Sequence, residues 1–475
     1  MALDMYRCFW GLLGGVLGAV LASIVMSVLY YFSDYRKQKI YKSKILSRIE
    51  TADMLLRENM TMDALAIFND LLANVPKGKD PEIYAHIKSS EGRCYYNLSL
   101  SRDRSGNLSK AIQAYREALQ FVDAVRSPDN YALTQYNLGD ACMKLSELYE
   151  KEDSLARAIN AFNEALRIYT FEKYPANYAV TQNNLGHAYK ALSEFRSRED
   201  NLLKALHAFN DALRIYTIDA YPANYAAAQV NLGFLYKAAT EFGNQEGNLS
   251  KAIEAFLEAL KIYLADKFPA EAAMAQKGIG DSYKALAEVD PGPESLVNAT
   301  SAYSKALKLY TIDRYPLDFA EIQGRLGSAY RSLAHIRESN DNLLKAVQSY
   351  GEALRVYTNE ACPAEYASVQ EKLGSIHAAL FEADAEPETL HKVIQAYSEA
   401  LTIRTLQEHP ADYASLQFNL GNAYRNLAKF GNKEEYLTKA EHAYNEALKV
   451  YAAEDFPLDR REVISALEKI RRPLS

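Results

Sequence analysis

Apolar side chains fall at helical spacing along most of this chain, and the arrangement recurs. Between residues 175 and 221, Leu185, Tyr189 and Leu192 share one stripe of a first helix, while Ala205, Phe209 and the Ala212-Leu213 pair mark one face of a second. Polar runs such as RSRED and IDAY separate the two. The small residue of the second helix returns as Ala111, Ala158, Ala205, Ala252, Ala299, Ala346, Val393 and Ala440. Four residues after each stands an aromatic: Tyr115, Phe162, Phe209, Phe256, Tyr303, Tyr350, Tyr397 and Tyr444. Alternating small and large side chains at this spacing lets neighbouring helices interlock, so the pattern predicts eight helix pairs.

Prolines give the register. Pro81, Pro128, Pro175, Pro222, Pro269, Pro316, Pro363, Pro410 and Pro457 are each 47 residues apart, and a glycine stands eleven residues after each of the first eight. Proline suits the first turn of a helix, where its missing N–H loses nothing. Glycine inside a helix costs about 1 kcal/mol against alanine, which points to a close approach by a neighbouring helix. Asn107, Ser154, Asn201, Asn248, Ser295, Asn342 and Thr389 recur where second helices begin and read as N-caps. A period between 20 and 50 residues marks a solenoid, whose function is sought on a repeated surface.

The Leu-Gly pair, the tyrosine three residues on, and the Ala, aromatic, Ala and Pro that follow resemble the tetratricopeptide repeat. That resemblance covers residues 45 to 471 and implies an all-α, right-handed α-solenoid of helix-turn-helix units. The usual unit has 34 residues; phrases such as ALRIYT…YPANYAVTQNNLGHAYKAL (165–192) are similar to the long repeats of the kinesin light chain type. Expected boundaries are a capping unit over 45–80, eight repeats over 81–456, and a capping helix over 457–475. In the first cap, Ala52, Leu55, Ala64, Phe68 and Pro76 fit a unit of ordinary spacing, with helices near 40–58 and 61–73.

The N-terminus breaks this pattern. After a short tail (1–7), residues 8–32 carry no charge, long enough at about 1.5 Å per residue to cross a hydrocarbon core of roughly 30 Å. They are expected to form one N-terminal transmembrane helix, followed by a basic juxtamembrane linker over 33–44. Arg36, Lys37, Lys39, Lys42 and Lys44 predict a single-pass cell-membrane protein with its repeats on the cytoplasmic side. The stripe Gly11, Gly15, Ala19, Ser23 permits close helix approach and hence a homodimer or a partner helix, although glycine is common in such helices anyway.

Composition narrows the function. A formal charge of −7, with no Lys/Arg-rich stripe along the repeats, argues against nucleic acid. Four cysteines show neither metal-ligand spacing nor a paired framework, and eight histidines are scattered. No nucleophile, acid and base combine, so no enzyme, cofactor or metal is expected.

Comparing the copies separates packing columns from variable ones. Eight residues after each proline stand Ser89, Tyr136, Asn183, Val230, Lys277, Gly324, Glu371 and Phe418; twelve after stand Arg93, Asp140, His187, Phe234, Asp281, Ser328, Ser375 and Asn422. These positions share one stripe of the first helix and are the least uniform. Nine after stand Asn137, Asn184, Asn231 and Asn419, replaced elsewhere by residues including Arg325 and Lys372; fifteen after stand Lys190, Lys237, Lys284, Arg331 and Arg425. By the resemblance, this face lines a concave groove whose asparagines hold a bound peptide, and the cations favour an acidic protein or peptide partner. The same columns also suit a solvated basic face and ties between repeats. A glutamine column seven after proline, including Gln135, Gln182, Gln229, Gln370 and Gln417, reads as structural hydrogen bonding. The expected function is a membrane-anchored interaction scaffold; the alternative is a structural spacer or oligomerisation component.

Overall fold

The computed structural model describes residues 2–75, 80–264, 266–337, 340–451 and 457–471; side chains at 2–22, 24, 25, 28, 29, 32, 457 and 458 are outside the description. Among the described residues there are nineteen α-helices, one short 3-10 turn and no strand. The chain divides into two units, Met1–Ile215 and Tyr216–Ser475, each an all-α helical repeat solenoid.

The first unit holds α1 (Ala2–Arg57), α2 (Thr61–Asn74), α3 (Pro81–Ser99), α4 (Arg104–Ala118), α5 (Pro128–Ser146), α6 (Lys151–Leu166), α7 (Pro175–Leu192) and α8 (Arg198–Leu213). The second holds α9 (Pro222–Ala239), α10 (Gln245–Leu260), α11 (Pro269–Val289), α12 (Pro293–Leu307), α13 (Pro316–Arg337) and α14 (Asn340–Ala353). It continues with α15 (Pro363–Asp384), α16 (Pro387–Leu401), α17 (Pro410–Leu427), α18 (Lys433–Leu448) and α19 (Pro457–Arg471). Within each unit a helix packs chiefly on its predecessor and its successor in sequence. Every lattice proline opens a helix, as its fixed φ and absent N–H favour.

The lattice glycines have a specific structural purpose. A Cβ at Gly139 would sit 2.6 Å from the Phe162 ring, at Gly233 2.7 Å from Phe256, and at Gly421 2.6 Å from Tyr444. The close approach is therefore made by the aromatic ring of the same repeat's second helix, which lies against the first helix's bare backbone. These rings are almost wholly buried, as are the alanines beside them.

Second helices start earlier than the expected caps. Asp103, Glu150, Ser197, Asn244 and Asn432 precede them in the left-handed region, with φ between 38° and 48°, and turn the chain in one residue. The asparagine column lies inside the first turn, facing the opposite way from a cap: Asn107 and Asn201 each donate an amide hydrogen, at 2.8 Å, to the carbonyls of Arg102 and Arg196. It ties the helix start to the preceding loop.

A second latch joins the two helices of a repeat. The hydroxyls of Tyr131, Tyr225, Tyr366 and Tyr413 donate to Glu164, Glu258, Glu399 and Glu446 at 2.6 to 2.8 Å. Gln135, Gln229, Gln370 and Gln417 stand beside the same hydroxyls, which gives the glutamine column its structural role.

At the N-terminus Ile45, Ile49, Ala52 and Leu56 of α1 pack on Phe68, Leu71 and Ile87; Pro76 lies outside the described residues. Residues 33–44, expected as a linker between elements, are instead part of α1, because lysine and arginine are good helix formers and nothing there breaks the backbone. No helix is long and apolar enough to cross a membrane among the described residues. Most side chains of the expected span at 8–32, and of the stripe Gly11, Gly15 and Ala19, lie outside the description; Ser23 is exposed. At the far end Val463, Ala466 and Leu467 cover Ala440, Tyr444 and Ala447.

The ring-on-glycine packing predicts opposite signs for one substitution at two helical glycines. Gly233→Ala overpacks the Phe256 ring and is expected to destabilise by about 1–3 kcal/mol in spite of alanine's better propensity. Gly351→Ala meets nothing within 4 Å and is expected to stabilise by about 0.5–1 kcal/mol. Denaturant unfolding of the two variants checks this; stabilisation by both would remove the constraint.

Candidate functional site

The variable stripe proves to be partly a packing column. Position twelve covers the ring of its own repeat's second helix: His187 meets Phe209 edge-on at 5.1 Å, and Phe234 meets Phe256 at 5.0 Å. In two of the repeats whose ring is tyrosine, an acceptor takes its place. Tyr303 donates to Asp281 at 2.8 Å, and Tyr444 donates to Asn422 at 2.9 Å. Part of the variation therefore follows the internal partner. At position eight Val230, only 4% exposed, belongs to the core with Ala226 and Phe256, because its aliphatic side chain is drawn away from water. Phe418 leans on Tyr444, their ring centres 5.9 Å apart.

The asparagines behave individually. Asn184 donates to the Tyr136 hydroxyl of the preceding repeat at 3.2 Å, and Asn183 donates weakly to Asn184 at 3.5 Å. Asn137 has a buried amide nitrogen with no hydrogen-bond partner. Asn231 and Asn419 are half-buried. Asp140 lies against the Tyr96 hydroxyl, and burial together with that carboxylate raises the phenol's pKa. Burial and the neighbouring Lys190 and Lys144 push the His187 imidazole down to about 4. Lys190 is itself lowered, by burial.

In the second unit the cations separate into two groups. The side chain of Asp281 on α11 is 4% exposed and takes Lys237 of α9 at 2.8 Å and Arg325 of α13 at 2.8 Å. Burial raises its pKa, yet these two cations and the hydrogen bonds from Lys237 and Tyr303 outweigh that and hold the carboxyl below its usual range. Arg325 also binds Glu321 at 2.7 Å, and Glu321 accepts from Lys277 at 2.9 Å. Lys237 and Arg325, expected to meet a ligand, are thus already neutralised by acids of this chain.

Lys284, Arg331 and Lys372 form the other group, one on each of α11, α13 and α15. Lys284 reaches Glu288 of its own helix at 3.2 Å, and Arg331 donates to Ser375 at 3.4 Å. Lys372 makes no ion pair among the described residues; burial lowers its pKa first, and Arg331 and Lys284 lower it further. Two cavities open beside them and share Lys284. One, of about 920 Å³, is walled by Arg331, Leu296, Ile336, Leu343 and Ile376, with the acids Glu288 and Glu382 also in its lining. The other, of about 450 Å³, is bounded by Lys372, Arg325, Ser328 and Tyr357. Crowded cations beside an apolar wall favour an anion carried on a partly apolar segment. Arg425 on α17 is half-buried. Sequence reasoning placed Asp281 only in the variable stripe and missed its ion pairs; the signal was an acid with a lysine and an arginine 44 residues away on either side.

The tetratricopeptide repeat family model matches residues 92–121 and 139–170, so the chain carries tetratricopeptide repeats within its helical solenoid. Similar solved structures include the C-terminal part of a TPR repeat-containing protein from Cytophaga hutchinsonii, at 17% identity, covering 66% of this chain and 98% of that one, with a TM-score of 0.43. The apo form of RapI matches at 14% identity over 89% of this chain and 98% of that chain, with a TM-score of 0.44. The apo form of the quorum sensor NprR from B. thuringiensis matches at 17% identity over 86% and 99%, with a TM-score of 0.38. Comparison with the curated proteins finds no match.

The half-buried imidazole of His187 sets a pH dependence. His187 has a folded pKa below its unfolded value, so its neutral form contributes stability that is whole above about 6.5 and is lost as pH falls toward about 4. His187→Phe, which copies the Phe234 arrangement, is expected to flatten the decline in Tm over that window. A decline as steep as in the parent would show that other groups carry it.

Proposed function

We propose that this protein is a membrane-anchored interaction scaffold that receives an acidic segment of a protein partner on the first-helix face of its second unit. The observation that carries this reading is the crowding of Lys284, Arg331 and Lys372, with Lys372 lowered first by burial and then by Arg331 and Lys284, next to a cleft with an apolar wall that Lys284 and Arg331 line. An incoming carboxylate relieves that repulsion, while the wall formed by Leu296, Ile336 and Ile376 takes an apolar side chain. Groove binding by the corresponding face in tetratricopeptide proteins supports the assignment, and the repeats are of the long kinesin-light-chain type. Asn419 and Arg425 extend the face by one further repeat. In the first unit, taken by itself, Tyr136, Asn137 and Lys190 occupy the corresponding first-helix positions.

The uncharged run at 8–32 supports a single membrane span, and the five cations that follow it support an orientation with the repeats on the cytoplasmic side. Cys362 is the suitable probe of sidedness, because it is partly exposed, whereas Cys94 and Cys142 are buried and their thiols are pushed up to about 12 and about 11. An impermeant thiol reagent is expected to modify Cys362 only after cells are opened. Labelling in intact cells would reverse the orientation.

Selection of displayed random peptides against the purified full chain tests the binding site. Enriched sequences are expected to combine Asp or Glu clusters with an aliphatic or aromatic residue. The pair Arg331→Glu and Lys372→Glu is expected to weaken the best of them by about 30-fold or more, near 2 kcal/mol, while Lys305→Glu on exposed α12 leaves binding within about twofold. Enrichment without acidic residues, or binding indifferent to the double reversal, rejects the site.

A further inference from the structure

Helix α1 runs without interruption from Ala2 to Arg57, so the uncharged run and the first helix of the N-terminal cap share one rigid rod. Its packing on the repeats begins at Tyr41, whose hydroxyl donates to the carbonyl of Asn74 at 3.1 Å, and continues through Ile45 and Ile49. Every described side chain from 33 to 40 is exposed, Tyr35 at 58%, and Tyr30 just before them is 76% exposed. Arg36, Lys37 and Lys39 make no ion pair among the described residues, while Lys42 leans toward Asp80 at 3.4 Å.

At about 100° per residue, Arg36, Lys37, Lys39 and Lys42 surround the helix and leave it no apolar face on which to lie flat. The geometry suits a rod that crosses the headgroup layer upright. Arg36, Lys37 and Lys39 lie about 6 to 10 Å along the axis from Phe32, within about one Debye length of a charged surface. Each cation so placed favours an anionic leaflet by a factor of about 5. Tyrosines beside them suit the boundary between hydrocarbon and headgroups.

We infer that residues 30–42 form a rigid stalk whose ring of cations binds anionic phospholipid headgroups of the leaflet from which it emerges. The stalk holds the repeats at a fixed height. This rests on the membrane-anchor reading given above. The test places the full chain in vesicles of phosphatidylcholine with about one third phosphatidylserine and compares spin-labelled forms of the two lipids in the protein-contacting population. A preference of about 3-fold or more for the anionic label is expected, falling to about 1 in the variant Arg36→Gln, Lys37→Gln, Lys39→Gln and shrinking with added salt. Equal occupancy in the parent, or an undiminished preference in the variant, overturns headgroup recognition and leaves the anchor standing. Extraction of the chain from vesicles by alkaline carbonate overturns the anchor itself, and the inference with it.

Discussion

The structure depends on one contact repeated eight times: an aromatic ring of each second helix pressed on a bare glycine backbone of the first. A side chain as small as alanine at Gly233 would fall 2.7 Å from Phe256, so the two helices hold this separation only because the Cβ is absent. Packing a rigid ring against backbone fixes distance and rotation together, which single aliphatic contacts do not. The rest of the repeat is arranged around it. Alanines beside the ring let the next repeat close in, tyrosine-to-glutamate latches hold the helix pair in four repeats, and in four repeats position twelve supplies the ring with an aromatic neighbour or a hydrogen-bond acceptor.

That arrangement decides which charges remain for a partner. Asp281 is buried where it accepts from the Tyr303 hydroxyl, and as a buried carboxylate it pairs with Lys237 and Arg325. Removing an unpaired charge from water costs several kcal/mol, so those cations are committed to the fold. One and two repeats on, position twelve is Ser328 and Ser375, which carry no charge. Arg331 and Lys372 consequently face each other and Lys284 with no buried acid between them. The same column neutralises the face at one repeat and leaves it cationic at the next.

Features set by the backbone were readable from the sequence. Proline at helix starts, glycine under the ring and alternation of small and large residues act within a few residues, and all three appear where expected. Features set by tertiary partners were not. Asn107 and Asn201 have cap chemistry, yet the turn is made four residues earlier by Asp103 and Ser197, and the asparagines donate backwards. Val230 sits in a column that varies, but an aliphatic residue there joins the core. The cations at Lys237 and Arg325 were visible as columns; that Asp281 had already claimed them was not, since the three are separated by 44 residues and meet only when consecutive first helices align. The charge change after Phe32 reads as a domain boundary, although the helix passes through it.

The most direct test of the account is a photoreactive amino acid placed in intact membranes at Ser328, within the cationic cleft, and separately at Leu344, on the exposed side of α14. Irradiation followed by mass spectrometry reads which segment is captured. The account predicts a discrete adduct at Ser328 whose cross-linked peptide is rich in Asp and Glu, lost on Lys372→Glu, with no such adduct at Leu344. The same adduct at both positions, or a Ser328 adduct that survives Lys372→Glu, contradicts it.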